Sequence, residues 1–333
     1  MADQYRLFGS ELSPYSVKVR SYLRYKSIPH TWVVRGQASQ GEFQKHARLP
    51  LIPLLVTPQG DAMQDSTPLI EEVEKRYPEP ALQPPDVPRA FLSALIEEYA
   101  DEWTNKAMFH YRWAYEPDQL SASLRIASGI LGLDARRAHV EQAAIGVRDR
   151  MIPRRTVVGS HDGTQALIEA SFLRQLEIAE AHLTWRPYLF GGRPCLADLG
   201  WAAQLYELAS DPTPQAIMQH FPHTMAWVAR MASPVVLGEF EPWDKLSGTL
   251  TPLLQEEVAR RYLPWADANM KAVQSGSDWF EVQLGGAPFS QAPQKYHVKS
   301  VGEIRAKART ALEQAPDLAK VLKDADCYDL LTC

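Results

Sequence analysis

Ser13-Pro14-Tyr15-Ser16 places two hydroxyls and a phenol where a short strand candidate, Tyr5 to Phe8, gives way to a helix. Ser13 is a good N-cap and Pro14 is favoured in a first helical turn. An anion held at that point meets free backbone N–H groups and the positive helix end, worth roughly 0.3–1 kcal/mol and up to about 2 when partly buried. A hydroxyl donating to a charged ligand adds ~1.5–3 kcal/mol. Thiol–disulfide exchange is excluded here, because it needs an attacking thiolate and both positions are serine. The plainer alternative is that Ser13 only caps the helix.

A second group of polar residues lies near position 65. Gln64-Asp65-Ser66-Thr67-Pro68-Leu69-Ile70 leads into another helix. An aspartate beside a serine at a helix start can pair with an ammonium while the hydroxyl and a backbone N–H receive a carboxylate. The same pair also reads as an ordinary helix cap. Between the two groups, Ile52-Pro53 opens a strand candidate, where proline is tolerated at an edge. Further along, Trp103, Lys106, His110 and Trp113 share one helical face by their spacing. Cys195 and Asp198 stand three apart at the start of a helix, the spacing of an N-terminal capping box.

The elements that must position these groups alternate over the first eighty residues. Strands are expected at Tyr5–Phe8, His30–Val34, Leu51–Thr57 and Ala62–Gln64, with helices at Tyr15–Lys26 and Ser66–Tyr77. The result is β-α-β, an irregular stretch, then β-β-α around one small sheet. Pro78, Pro80, Pro84, Pro85 and Pro88 then forbid a helix or a central strand. Beyond them the pattern is helical over 89–115, 134–150, 165–184, 195–210 and 221–231. The tail reads as a helix over 255–274, a hairpin pairing 279–284 with 296–299 through Gly285-Gly286, and a helix over 301–312. The domains expected are 1–80, a linker at 81–88, a helical domain at 89–245 and an extension at 246–333.

The 333 residues carry 35 Lys+Arg against 40 Asp+Glu, a net charge of −5, with 45% hydrophobic residues. That composition fits a globular chain and lacks the clustered basic surface that nucleic acid requires. The longest apolar run, Leu49 to Val56, contains two prolines and is too short to span a bilayer, so no membrane partner is expected. The start lacks a basic and apolar leader, and three cysteines form neither a disulfide framework nor a zinc pattern. A cytoplasmic protein without a metal is expected.

Ser13-Pro14-Tyr15-Ser16 stands where glutaredoxin-like sequences carry Cys-Pro-Tyr-Cys. With Ile52-Pro53, Asp65-Ser66 and Gly191-Gly192-Arg193-Pro194-Cys195-Leu196-Ala197-Asp198, the chain resembles the serine-type glutathione transferases over roughly residues 5–240. The resemblance implies an α/β thioredoxin-like N-terminal domain and an all-α C-terminal domain of the transferase type, here with an additional α+β tail. It implies glutathione as co-substrate, a small apolar electrophile and a homodimer. Ser13 would hold the glutathione thiolate, with Ser16 and Tyr15 as nearby alternatives. Asp65, Ser66, Gln64 and the backbone beside Ile52 and Pro53 would bind the tripeptide, and Trp103, His110 and Trp113 would line the electrophile pocket. Asp101 and Glu97 are further candidates to approach the glutathione amine. The family's lysine before the Ile-Pro pair is missing, since Leu51 stands there, so Arg48, His46 or Lys45 would supply the charge for the glycyl carboxylate. Cys195 and Asp198 would serve folding. The extension would pack on the helical domain, close over the active site or join a dimer interface. Conjugation, dehalogenation, ether cleavage by a lyase, or isomerisation all fit, as does a binding protein that keeps the fold without catalysis.

Overall fold

A computed structural model describes residues 4–333. The N-terminal sheet has strands β1 (Tyr5–Gly9), β2 (His30–Val34), β3 (Leu54–Val56) and β4 (Ala62–Gln64), in the order β2-β1-β3-β4. β1 runs parallel to β2, with Tyr5 opposite His30, and antiparallel to β3, with Phe8 opposite Leu54. β4 completes the sheet antiparallel to β3. Helices α1 (Pro14–Tyr25), α2 (Gln40–His46) and α3 (Ser66–Arg76) accompany it. This is the thioredoxin-like arrangement.

Burial explains these elements. Leu7 on β1, Leu55 on β3, Val19, Tyr22 and Leu23 on α1, and Leu69, Ile70 and Val73 on α3 form one buried cluster between sheet and helices. Phe8, Leu54 and Val56 point to the other face and pack with Phe43 of α2. The strand alternation that sends neighbours to opposite faces thus serves two layers. Gly9 closes β1 because the next chain passes close: a Cβ there would lie 2.5 Å from the Trp32 ring and 2.8 Å from Ser16 Cβ.

β3 is shorter than the expected 51–57. Residues 48–51 are instead folded onto the Gln64 side chain, which accepts from the Arg48 and Leu49 N–H groups and donates to the Leu49 and Leu51 carbonyls. The Ile52–Pro53 bond is cis.

After the proline-rich stretch the chain is helical: α4 (Val87–Tyr99), a π turn (Ala100–Thr104), α5 (Asn105–Ala114), α6 (Glu116–Leu131), α7 (Arg137–Met151), a 3-10 turn (Pro153–Val158) and α8 (Gln165–Leu183). There follow α9 (Leu196–Ala209), α10 (Pro212–Met218) and α11 (Pro222–Arg230). The helix expected over 89–115 is therefore interrupted by the π turn. α6 escaped the sequence reading because its buried stripe is Ala122, Ser123 and Ala127, not large apolar residues. α9 is the central element and packs against α1, α4 and α5. At its start Asp198 accepts from the N–H groups of Leu189 and Cys195 and from Trp227 Nε1, at 2.9, 3.0 and 2.9 Å.

The extension comprises α12 (Trp243–Leu253), a π segment (Leu254–Tyr262), α13 (Leu263–Ser275), the hairpin β5 (Phe280–Leu284) and β6 (Ala287–Gln291), then α14 (Lys295–Gln314), α15 (Leu318–Asp324) and α16 (Tyr328–Thr332). The second hairpin strand corrects the expectation of 296–299, which instead opens α14. Gly285 and Gly286 both have positive φ, 57° and 88°, and make a two-residue turn that sets Leu284 directly against Ala287. No helix among the described residues is long and apolar enough to cross a membrane.

Replacing Asp198 with alanine strands three buried N–H donors, each costing about 1–3 kcal/mol. Urea unfolding should therefore show a loss of at least about 3 kcal/mol for Asp198→Ala, partly recovered in Asp198→Asn. A loss below about 1 kcal/mol would refute this account of the α9 start.

Candidate functional site

The start of α1 presents the hydroxyl pair. Ser13 caps the helix: its side chain accepts from the Ser16 N–H at 3.3 Å and from the Ser16 hydroxyl at 3.0 Å. Because Ser16 donates into it, the proton of the Ser13 hydroxyl remains free to point away from the helix, toward a ligand. Pro14 has no N–H, and those of Ser16 and Val17 return to the Ser13 carbonyl, so Tyr15 supplies the first free amide. Ser13 is half-buried and Ser16 is buried, which makes Ser16 the supporting group.

Tyr15 turns away from this place. Its hydroxyl donates to the Asp101 carbonyl at 3.1 Å and accepts from Asn105 Nδ2 at 2.9 Å. Burial, reinforced by the Glu102 and Asp101 carboxylates, raises its pKa well above the ordinary phenol. Tyr15 is a tie between α1 and the π turn of the next domain.

The sequence reading overlooked Lys18, one turn further along α1. It is fully buried, pairs with Glu97 and with Asp101 Oδ2 (2.6 Å), and donates to Thr67 Oγ1 at 2.9 Å and Ser66 Oγ at 3.5 Å. Burial works against its charge, but Asp101 and Glu97 outweigh it and hold the ammonium above its ordinary pKa. A lysine in the middle of an amphipathic pattern gives no signal by itself, since its partners lie some eighty residues away. Glu97 and Asp101 are thereby committed to Lys18.

Ser66 is buried at the start of α3 and Asp65 is exposed immediately before it. Asp65 has φ 76°, a left-handed conformation that a non-glycine residue adopts at a cost of order 1–3 kcal/mol. Its carboxylate makes no cap bond to its own helix. The turn therefore presents a carboxylate without a salt-bridge partner among the described residues beside the open N–H groups of a helix start. Ile52 lies before the ladder begins at Leu54, so its N–H and C=O are not taken by the sheet. Gln64 does not face a ligand with its amide: all of it is spent on the 48–51 loop. Lys45 and His46 both turn to Glu42, leaving Arg48 as the exposed cation of that loop.

The expected electrophile wall is corrected. Trp103, His110 and Trp113 are 2%, 0% and 1% exposed and form packed interior. Trp103 packs on Trp265 and Phe289 of the extension, with ring centroids 6.0 and 5.7 Å away. His110 is bonded on both nitrogens, to Ser160 Oγ at 2.7 Å and Glu169 Oε1 at 3.0 Å. The face of α5 turned to the α1 loop is instead Asn105, Phe109 and Arg112, spaced i, i+4, i+7. Asn105 bonds Tyr15, and Arg112 Nη1 donates to the Leu12 carbonyl at 3.2 Å. Trp103 instead marks the side that the extension covers, and Trp113 packs beside Phe109, with ring centroids 6.4 Å apart.

Among the described residues no cluster of His, Cys, Asp and Glu can hold a metal ion. Cys195 donates to Asp198 at 3.2 Å, and burial raises its thiol well above its usual pKa, so it is a folding residue.

The glutathione S-transferase N-terminal domain family matches residues 7–81. No curated protein matches the sequence significantly. Among solved structures, the chain is similar to a glutathione S-transferase of Methylobacterium radiotolerans solved with glutathione sulfonate, at 18% identity over 72% of this chain and 99% of that one, with a TM-score of 0.39. A glutathione S-transferase of Methylobacillus flagellatus with glutathione bound is 21% identical over 68% of this chain and 93% of that one, with a TM-score of 0.41. The β-etherase LigF of Sphingobium sp. strain SYK-6 is 20% identical over 68% and 94%, with a TM-score of 0.49.

Replacing Lys18 with methionine leaves two buried carboxylates without their cation, a change that costs about 3–5 kcal/mol. In that variant the folded-state pKa of Asp101, already raised by burial, rises further above its unfolded value, so stability falls as pH rises. Urea unfolding should show a smaller deficit at pH 5 than at pH 8. An equal deficit at both would remove the ion cluster from the explanation.

Proposed function

We propose, from the premise that this chain belongs to the glutathione S-transferase family through its N-terminal domain, that it binds glutathione and activates its sulfur for attack on a small apolar electrophile. The observation that carries the reading is the Ser13 hydroxyl. Two donors from Ser16 fill its acceptor positions and leave its proton for a sulfur seated at the start of α1.

Glutathione would lie across the edge formed by the turn before α3 and the loop before β3. The glutamyl ammonium meets Asp65, and the glutamyl carboxylate meets the Ser66 hydroxyl and the α3 amides. The cysteinyl backbone pairs with Ile52 beside Pro53, as an added strand would. Arg48 faces the glycyl carboxylate. The cysteine sulfur then reaches Ser13 and the Tyr15 N–H. Hydrogen bonding of ~1.5–3 kcal/mol and the helix end lower the thiol pKa by on the order of 2 units, at 1.36 kcal/mol per unit. The thiol loses its proton to water, and the thiolate forms a sulfur–carbon bond as the electrophile's leaving group departs with the electron pair. Asn105 and Phe109 stand on the side from which the electrophile approaches.

A second reading, a binding protein that keeps the fold without turnover, is favoured by the packed state of Trp103, His110 and Trp113. Retention on immobilised glutathione without turnover of a generic aryl halide would select it.

Ser13→Ala should leave glutathione affinity nearly unchanged while lowering the thiolate absorbance at neutral pH, with a loss of up to ~1.5–3 kcal/mol in thiol ionisation. An unchanged thiolate signal and rate would remove Ser13 from the mechanism. Asp65→Ala should weaken glutathione binding measured by calorimetry, and equal dissociation constants would dismiss the ammonium contact.

A further inference from the structure

Helix α14 of the extension starts above the turn that carries Asp65. Tyr296 in its first turn directs its hydroxyl to Asp65 Oδ2 at 3.5 Å. Three further residues hold the helix across both domains. His297 lies against Glu102 and stacks edge-on against Trp265 at 4.9 Å, Ser300 bonds Glu98, and Lys307 pairs with Glu71 of α3 at 2.6 Å. Tyr296 itself is 58% exposed although its neighbours fix its position. An aromatic side chain held in place but left largely unpacked gains little from apolar burial, and its polar end is directed at a carboxylate that has no other side-chain partner among the described residues.

We propose that Tyr296 is a ligand-binding residue, the fourth wall of the glutamyl end of the site, and that it recognises the ammonium that Asp65 attracts. The inference rests on the glutathione reading above. With an ammonium on Asp65, the phenol keeps its proton toward the carboxylate while its oxygen accepts an N–H from the ligand. Partial burial of the hydroxyl end, with the carboxylates of Asp65, Glu102 and Asp101 close by, raises the Tyr296 phenol above its ordinary pKa, so it stays protonated and able to play both parts. An ammonium suits this place: Asp65 is the carboxylate here that Lys18 does not bind directly, whereas Glu97 and Asp101 are already paired. The consequence is selectivity for a γ-glutamyl thiol with a free amine over thiols that lack it.

The test uses the full chain and two probes, glutathione and its analogue lacking the glutamyl amine. Calorimetry should show Tyr296→Phe binding glutathione about tenfold more weakly than the parent, equivalent to about 1.4 kcal/mol. Parent and variant should bind the deaminated analogue equally. Glutathione should also slow amide exchange across 295–300 in the parent and less so in Tyr296→Phe. Equal glutathione affinity in parent and variant overturns the role of Tyr296 while the glutathione reading stands. Equal weakening with both probes shows a merely structural effect and overturns it too. A parent that binds no glutathione removes both readings together.

Discussion

One buried cation organises the region between the two domains. Lys18 sits on α1, which also presents Ser13, and it binds Thr67 and Ser66 at the start of α3 as well as Glu97 and Asp101 of the following helices. The start of α1, the Asp65 turn and the second domain therefore share a single charged junction. Taking a lysine and two carboxylates out of water is costly, and such groups are tolerated only when nearly every donor and acceptor is matched. Removing any one member leaves buried charge uncompensated. The Tyr15 bonds to Asp101 and Asn105 repeat the tie one turn earlier.

The extension alters the helical domain more than its position at the end of the chain suggests. Trp265, Phe289 and Gln291 close over Trp103 and Lys106, so a helix face that would otherwise meet solvent becomes interior. Lys106 lies 3.8 Å from the Trp265 ring centroid, and burial lowers its pKa to about 7. That face is thereby spent on stability. The Asn105 side of the same helix faces α1 instead, through its bond to Tyr15. α14 then reaches back to α3 through Lys307 and Glu71, so the extension braces the N-terminal domain from outside.

Short-range features were legible in the sequence because their physics is local. Ser13-Pro14 states a helix start and Asp65-Ser66 another, and both appear where expected; Ile52-Pro53, read as opening a strand, lies just before β3. Strand β2 and strand β4 follow directly from their residues. Errors arose where long-range contacts decide. Gln64 reads as a ligand-binding amide, yet its four bonds are spent on residues 48–51. Tyr296 reads as strand because it is aromatic, yet the two-glycine turn had already paired β5 with Ala287–Gln291.

The sequence by itself determined where the starts of α1 and α3 place Ser13, Asp65 and Ser66, because capping and turn chemistry depend on neighbours along the chain. Only the tertiary structure decided which charges are paired. Lys18, Glu97 and Asp101 cancel one another across some eighty residues, and Asp65 and Tyr296 are brought together across more than two hundred. Distances of that kind follow from packing whole helices against each other, which no local pattern of residues encodes.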